Sequence, residues 1–107
     1  SISILPLTLK NPGFNPAEDF VPVAGFATFV NGLALSGGTP AKSYQEYLAW
    51  VREDVKKRGT VGVPAPASTP EFFVKVIGQK NGLDLQAAPY RGSAPMMGDM
   101  LGNQIAA

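Results

Sequence analysis

The sequence predicts an α/β domain in which helices flank a mainly parallel sheet. Short β-rich runs alternate with amphipathic helical patterns in the second half of the chain, and turn-forming residues separate them. Strands separated by single helices imply right-handed crossovers and therefore parallel pairing. The chain has 107 residues, of which 45% are hydrophobic, and this is enough for one modest core. We therefore expect a single α/β lobe over residues 1–107.

The first third of the chain predicts short or extended elements. Residues 1–9 alternate loosely between polar and apolar side chains, as in an edge strand or an arm. Asn15 and Pro16 form a helix start with acids in its first turn, and we expect a single turn there. Residues 21–35 are mostly apolar and rich in β-formers, and they predict one or two strands buried on at least one side.

The most distinct helical pattern follows residue 43. Ser43 and Glu46 have the spacing of a capping box, and apolar residues then recur at helical spacing. That stripe consists of Tyr44, Tyr47, Leu48, Val51 and Val55. A basic run at residues 56–58, which complements the helix dipole, and Gly59 mark the end of the helix.

A strand, a loop and a second helix come next. Residues 60–63 predict the strand and residues 64–70 the loop. The helix begins at Ser68 or Thr69, with Glu71 in its first turn. Its apolar stripe consists of Phe72, Phe73, Val76 and Ile77, and Asn81 with Gly82 ends it.

The last part of the chain repeats this order. Residues 83–88 alternate at period two and predict a strand, which residues 89–93 connect to a third helix capped by Ser93. That helix carries Met96, Met97, Met100 and Leu101 and is closed by Gly102. Residues 105–107 have the pattern of the opening of a further strand.

Composition excludes several partners and chemistries. A net charge of +1 gives no general attraction to nucleic acid or to an acidic membrane surface. No window is long and apolar enough for a spanning helix, so we expect no direct membrane insertion. Cys and His are both absent, which removes the commonest metal ligands and the commonest general base.

The sequence offers no catalytic constellation. Ser68, Thr69 and Ser93 carry hydroxyls, but no His, no Cys and no nucleophile elbow is present to activate them. Dinucleotide and P-loop fingerprints are missing, and no spacing of carboxylates suggests a metal or a catalytic pair. We therefore expect no enzyme activity, no cofactor and no metal.

The two loops that precede helices predict a binding site. In parallel sheets, ligands bind beyond the carboxyl ends of the strands, where such loops lie. Residues 64–70 lead to a helix N-terminus, whose unpaired N–H groups and dipole favour an anion. In the second loop, the Tyr90 ring can line the site and Arg91 can give it a positive charge. Arg91 could equally pair with Asp99. Serine caps at helix starts also occur without any ligand, and each loop taken alone could be merely a turn.

Four segments together resemble a known family. Residues 14–23 resemble the Y-D-P-x-x-D-F-x-P-V segment of the Bug-type periplasmic receptors, which serve tripartite tricarboxylate transporters. Residues 40–47 are similar to their P-x-K-S-x-x-E-L helix start, and residues 60–68 to their Y-G-S-P-G-x-G-S loop. Residues 88–105 resemble V-P-Y-K-G-S-x-P-x-x-x-D-L-x-G-G-Q-V. The resemblance runs in the family's order through nearly the whole chain.

The resemblance implies one lobe of a type II periplasmic-binding-protein-like fold. Proteins of this family clamp a small carboxylate or related metabolite between two lobes, and this chain would be most of the second lobe, with the first lobe absent. The resemblance further implies a periplasmic location, reached through a signal peptide that is not present in this chain, and membrane transporter subunits as partners. The implied ligand is a small organic acid or an amino-acid-like molecule. The ligand-binding residues carried over are Val63, Pro64, Ala65, Pro66, Ala67, Ser68, Thr69, Tyr90 and Arg91.

The sequence departs from the family's loop in ways that bear on the ligand. Ala65 and Ala67 replace glycines, and Pro66 between them has no N–H to donate. Glu71 stands where the family usually has His, and it adds a negative charge near the anion site. An amine-bearing or neutral ligand therefore becomes more plausible than in the family at large.

Three alternatives remain open at this level. The lobe could belong to a periplasmic solute sensor that signals to a membrane partner. It could instead be an α/β protein-interaction domain, which predicts an exposed apolar patch at residues 96–101. A hydrolase fragment would need His or Cys from elsewhere in a longer chain.

Overall fold

The computed structural model describes residues 2–107 and shows an α/β architecture. The elements, in chain order, are α1 (Leu5–Thr8), α2 (Pro16–Asp19), α3 (Tyr44–Glu53), α4 (Val55–Arg58), β1 (Thr60–Val63), α5 (Thr69–Asn81), β2 (Gln86–Pro89) and α6 (Ser93–Leu101). Within the described residues, β1 and β2 form one parallel pair, with Val61 opposite Ala87. The predicted fold class, helices around a small parallel sheet, is confirmed.

The core lies against β1 and is formed by residues of α3 and α5, of the segment that leads into β2, and by Ala107. Tyr47, Val51 and Val63 are the largest side chains that are almost completely enclosed. The buried cluster consists of Tyr47, Leu48, Val51, Val61, Val63, Val74, Leu83, Leu85 and Ala107. Gly62 faces the other way, since a Cβ atom there would lie 2.7 Å from Ile105 Cδ1 and 3.1 Å from Met96 Cγ. The sheet therefore has α3 and α5 side chains against one face and α6 side chains against the other.

The predicted helix after residue 43 is confirmed at its start and divided near its end. Ser43 accepts a hydrogen bond from the Glu46 N–H, as the capping box requires. The helix then stops at Glu53, because Asp54 leaves helical geometry and uses its carboxylate to cap a separate turn, α4, through the Lys57 N–H. Of the predicted stripe, Tyr44 is nearly half exposed, whereas the next three members are buried.

The prediction of strands in residues 21–35 is wrong within the described structure. This segment forms no helix or strand. The side chains of residues 21–34 face solvent, with Val23 96% exposed and Phe26 97%, and Leu35 is partly buried against the core. An apolar run becomes a strand only when another strand pairs with its N–H and C=O groups. Between residues 2 and 107, no strand pairs with it along its length. The radius of gyration, 15.9 Å, accordingly exceeds the ~13 Å expected for a compact chain of this size.

The remaining N-terminal predictions have mixed outcomes. Residues 5–8 form a single helical turn, with Pro6 at its start, and not the predicted edge strand or arm; Ser1 lies outside the described residues. The turn at α2 is confirmed, since the Asn15 side chain accepts from the Ala17 N–H. No helix within residues 2–107 is long and apolar enough to cross a membrane.

The helices beside the sheet differ from prediction in the faces that they bury. In α5 the buried positions are Val74 and Gly78, while Phe72 and Phe73 are almost half exposed. Gly82, at φ 63°, ends this helix as predicted. In α6 the Met100 side chain is buried, whereas Leu101 is 79% exposed.

The boundaries of the last elements are also shifted. The strand predicted at residues 83–88 is observed at Gln86–Pro89, although Leu83 and Leu85 before it are buried. Ser93 is the first residue of α6 and not its cap; Gly92, at φ 104°, takes the cap position without a side-chain hydrogen bond. A glycine suits that position because its backbone is in a region that other residues avoid.

Residues 105–107 form no assigned strand, but the backbone hydrogen bonds of residues 106 and 107 have the pattern of one. The Ala107 oxygen accepts from the Gly62 N–H at 2.9 Å, and the Ala106 oxygen accepts from the Ser36 N–H at 2.8 Å. Successive carbonyls therefore point to opposite sides, towards β1 and towards residue 36, as in an extended strand.

Candidate functional site

The two loops predicted to bind a ligand lie side by side. Because β1 and β2 are neighbouring parallel strands, both loops leave the same end of the sheet. They are joined by two backbone hydrogen bonds, from the Tyr90 N–H to the Val63 oxygen at 2.8 Å and from the Gly92 N–H to the Pro64 oxygen at 2.9 Å. The structure therefore brings the segments 63–69 and 90–91 together, as the sequence analysis required.

The N-terminus of α5 is capped by its own loop. Ser68 accepts from the Glu71 N–H at 3.4 Å, and its hydroxyl donates to the Ala65 oxygen at 2.6 Å. The backbone N–H groups of Ser68 and Thr69 find no acceptor among residues 2–107. These two N–H groups, close to the positive end of the helix dipole, are the donors that the loop offers to a ligand.

Glu71 places a carboxylate at this helix start. Its Oε2 atom accepts from the Ala67 N–H at 2.5 Å, and its Oε1 atom lies 3.4 Å from the Lys75 ammonium. The Glu71 side chain is only 22% exposed, so part of its charge is shielded from water. The loop thus already holds one anion of its own, in the position where the helix dipole is most favourable to it.

Ala67 keeps the backbone shape of a glycine. Its φ of 52° is in the left-handed region, which costs a residue with a Cβ atom roughly 1 kcal/mol. The bond from its N–H to the Glu71 carboxylate holds it there. The backbone at Ala67 therefore remains in a conformation typical of glycine, although the residue has a Cβ atom.

In the second loop, the Tyr90 side chain is held by a hydrogen bond, whereas the Arg91 side chain is not held by an ion pair among residues 2–107. The Tyr90 hydroxyl donates to Asp99 Oδ2 at 2.8 Å, and this bond, followed by partial desolvation and the nearby negative charge, raises the pKa of Tyr90 above 10.0. Asp99 is thus engaged by Tyr90 and not by Arg91, which was the alternative partner. Arg91 is exposed and forms no ion pair within the described part of the chain.

The cavities near the site differ in size and character. A cavity of about 150 Å³ lies at the start of α5, between Ile4 and Thr8 on one side and Ser68, Glu71 and Phe72 on the other. A larger one, of about 500 Å³, lies between β1, α5 and residues 29–33. Its walls are Phe29, Val30, Asn31, Gly32, Leu33, Val61, Gly62, Val63, Pro70, Phe73, Val74 and Ile77. Sequence reasoning did not find this second cavity, because its walls come from segments far apart in the chain.

The side chains at the start of α5 are engaged within the chain. Ser68 is used as a helix cap, and the neighbouring Glu71 carboxylate is engaged by Ala67 and Lys75. Among residues 2–107, no group of three or more carboxylates lies close enough together to hold a metal ion. The loops can therefore offer backbone donors, a phenol and a guanidinium to a ligand.

The architecture resembles part of a solved periplasmic binding protein. A solved structure titled "Structure of periplasmic binding protein BugD" superposes with a TM-score of 0.74 at 24% sequence identity, over 98% of this chain and 35% of that one. At this identity the likeness establishes the fold.

The sequence comparisons identify the family. A protein from Cupriavidus necator, described as "UPF0065 protein in gbd 5'region", is 28% identical over 101 residues, which are 94% of this chain and 30% of that protein. The family described as "Tripartite tricarboxylate transporter family receptor" matches over residues 1–107, and the chain belongs to it. The chain spans about a third of the length of the relatives that it matches.

Proposed function

We propose that this chain is a lobe of a periplasmic solute-binding receptor that captures a small organic acid or related metabolite for a tripartite transporter. The ligand contacts residues 63–69, Tyr90 and Arg91. The observation that carries this proposal is the pair of hydrogen bonds that joins the two loops at the carboxyl ends of β1 and β2. Membership of the receptor family supports it. The lobe is the second of two, and the protein acts in the periplasm.

The ligand end that reaches this lobe is held by backbone donors. The N–H groups of Ser68 and Thr69 bind an oxygen of the ligand, and the Tyr90 ring forms a wall beside it. Arg91, exposed and without an ion-pair partner among residues 2–107, supplies the positive charge that an organic acid needs. The Glu71 carboxylate weakens this site for anions, so that a neutral oxygen or an ammonium group is accepted more readily than in a loop without it.

Binding can be tested on the 107-residue chain by amide NMR titration with succinate, benzoate and aspartate as probes. We expect the Ser68, Thr69 and Arg91 amide signals to move with at least one probe, with an affinity in the millimolar range because a single lobe covers only part of a ligand. If all three probes leave these signals in place while the chain remains folded, the assignment of the loops as the ligand site is wrong.

The effect of the Glu71 charge on ligand binding can be tested with a pair of matched variants. Glu71→Gln keeps an acceptor for the Ala67 N–H but removes the charge, so succinate should bind on the order of 5-fold more tightly, equivalent to about 1 kcal/mol. Glu53→Gln makes the same charge change on α3, in a side chain that contacts Arg58 and not the loops. Equal gains in the two variants would show that only the net charge matters.

The other classes considered are less well supported. A sensor lobe would use the same site and differ only in the partner that reads the bound state. An interaction domain predicts an exposed apolar patch on α6, yet this helix buries Met100 and leaves Met97 and Leu101 at the surface. Two exposed residues are a small patch, and surface apolar residues are common in isolation.

A further inference from the structure

The chain contains two Asn-Gly pairs, Asn31–Gly32 and Asn81–Gly82, and the fold places them in opposite settings. Asparagine is a chemically labile residue, and a glycine after it favours deamidation because glycine has no Cβ atom to hinder attack by its backbone nitrogen. The reaction also requires that this nitrogen and the side-chain amide are free to meet. The structure around each pair therefore decides how readily that pair reacts.

Deamidation uses only groups of the chain and water. The backbone nitrogen of the glycine gives its proton to solvent and forms a bond to Cγ of the asparagine. The side-chain NH₂ group takes up a proton and leaves as ammonia, so that a five-membered succinimide ring remains. Water then opens the ring at either carbonyl carbon, which yields an aspartate or an isoaspartate. One water is consumed and one ammonia is released, and nothing is oxidised or reduced.

At residues 31–32, neither reacting group is held by a hydrogen bond. Asn31 and Gly32 are both exposed and lie outside any helix or strand. Among residues 2–107, neither the Asn31 side-chain amide nor the Gly32 N–H has a hydrogen-bond partner. The space around Gly32 is also open, since a Cβ atom there would have nothing within 4 Å. The backbone can therefore turn to the geometry of the ring without breaking a hydrogen bond.

At residues 81–82, both reacting groups are engaged. Asn81 is the last residue of α5, and its Nδ2 atom donates to the Ile77 oxygen at 2.8 Å and to the Tyr44 hydroxyl at 3.4 Å. The Gly82 N–H donates to the Gly78 oxygen, as the helical pattern requires. Attack by the Gly82 nitrogen would break these bonds and unwind the end of α5. The fold therefore protects Asn81.

The other asparagines of the chain are poorer candidates. Asn11 and Asn15 precede prolines, whose nitrogen has no hydrogen to lose. Asn103 precedes Gln104, whose side chain hinders the attack, and the Asn103 Oδ1 atom accepts from the Gly38 N–H at 2.9 Å. Asn31 is thus favoured over every other asparagine by the residue that follows it, by its surroundings, or by both.

We propose that Asn31 is a site of spontaneous deamidation in the folded chain. Asn31 lines the cavity of about 500 Å³, an open groove between β1, α5 and residues 29–33, and the side chains that line this groove are all uncharged. Deamidation places a carboxylate on its wall. The net charge of the chain, +1 before the reaction, falls by one to zero. The isoaspartate product also inserts one extra carbon atom into the main chain between residues 31 and 32.

Deamidation can be followed at each site by mass spectrometry after incubation of the chain at mildly alkaline pH. Cleavage with trypsin separates the two pairs, since residues 11–42 contain Asn31 and residues 81–91 contain Asn81. We expect the first peptide to acquire the mass of the acid on the order of tenfold faster than the second, a difference of about 1.4 kcal/mol in activation free energy. In guanidinium chloride, which removes the fold, the two rates should become similar.

Gly32→Ala provides the matched variant. Its Cβ atom hinders the attack on Asn31, and it has nothing within 4 Å in the folded chain, so the fold should be unchanged. Deamidation of residues 11–42 should slow by on the order of tenfold in this variant, whereas residues 81–91 should react at the wild-type rate.

Three outcomes would overturn the proposal. Equal rates in the folded chain, or a faster reaction at Asn81, would show that the setting of Asn31 gives it no advantage. A difference that persists in guanidinium chloride would show that the neighbouring sequence and not the fold selects Asn31. An unchanged rate for residues 11–42 in Gly32→Ala would show that the reaction does not pass through the succinimide at residues 31–32.

Discussion

Residues 20–35 are richer in apolar side chains than residues 36–107, yet the buried core is formed by the second region. Val23 is 96% exposed in the first region, and Val51 is completely buried in the second. Both side chains have the same affinity for an apolar environment, worth roughly 2 kcal/mol if fully buried. The difference is that Val51 lies on a helix that satisfies its own backbone, whereas a strand needs a partner to do so. Apolar sequence is therefore not sufficient for a core; the backbone must also be paired.

The two regions should differ most in how much the free energy of unfolding falls when a valine is replaced by alanine. Val51→Ala should lower the free energy of unfolding by about 2 kcal/mol, because it leaves a cavity among Tyr47, Leu48 and their neighbours. Val23→Ala should change it by less than about 0.5 kcal/mol, since the side chain is in water. Urea denaturation followed by circular dichroism measures both. A loss above 1 kcal/mol for Val23→Ala would show that residues 20–35 are packed in solution.

Glycine substitutions give a second and smaller contrast. In an exposed helix, Gly→Ala stabilises by about 1 kcal/mol. At Gly78, however, the added Cβ atom would lie 2.7 Å from the Leu83 carbonyl oxygen, which is main chain and cannot easily move. We expect Gly78→Ala to destabilise by about 1 kcal/mol net.

The control for this substitution is Gly25→Ala in the exposed segment. Nothing lies within 4 Å of the corresponding Cβ position, so this change should be neutral or slightly stabilising through the unfolded state. Thermal unfolding of the two variants compares them directly. A stabilised Gly78→Ala variant would contradict the close contact between the end of α5 and the turn that follows it.

The smallest contrast is in the dependence of stability on pH. Residues 20–35 contain no ionisable side chain, so all such dependence comes from the rest of the chain. The hydrogen bond to Asp99 raises the pKa of Tyr90, and the stability it contributes is therefore complete below pH 10 and lost as pH rises through the higher pKa of the folded state. The difference in stability between the wild type and Tyr90→Phe should shrink between pH 9 and pH 12. A difference that stays constant over this range would exclude the Tyr90–Asp99 bond in solution.

What the sequence predicted well were features with local causes. The Ser43 cap, the helix start at Ser68 or Thr69, the turn after Asn15 and the helix end at Gly82 are each determined by a few adjacent residues, and all are observed. The parallel pairing of β1 and β2 followed from the order of elements. This pairing, in turn, brought the two predicted loops together.

What the sequence did not predict depends on contacts between distant segments. Phe72 and Phe73 fit a helical stripe as well as Val74 does, but only the position of β1 decides which face of α5 is covered. The partner of the Tyr90 hydroxyl and the groove between β1 and residues 29–33 likewise depend on the tertiary arrangement. Residues 21–35 have strand composition, and only the presence of a neighbour determines whether they form one.

The two hydrogen bonds between the loops have a consequence for how fast and how tightly a ligand is held. Because Val63 with Tyr90 and Pro64 with Gly92 are joined before any ligand arrives, neither loop has to be immobilised on binding. Ordering a flexible loop costs roughly 1–2 kcal/mol of conformational entropy for each residue fixed, and this cost is already met in folding. Encounter should then be limited by diffusion and orientation and not by a slow rearrangement of the loops, and differences in affinity among ligands should appear mainly in their rates of release.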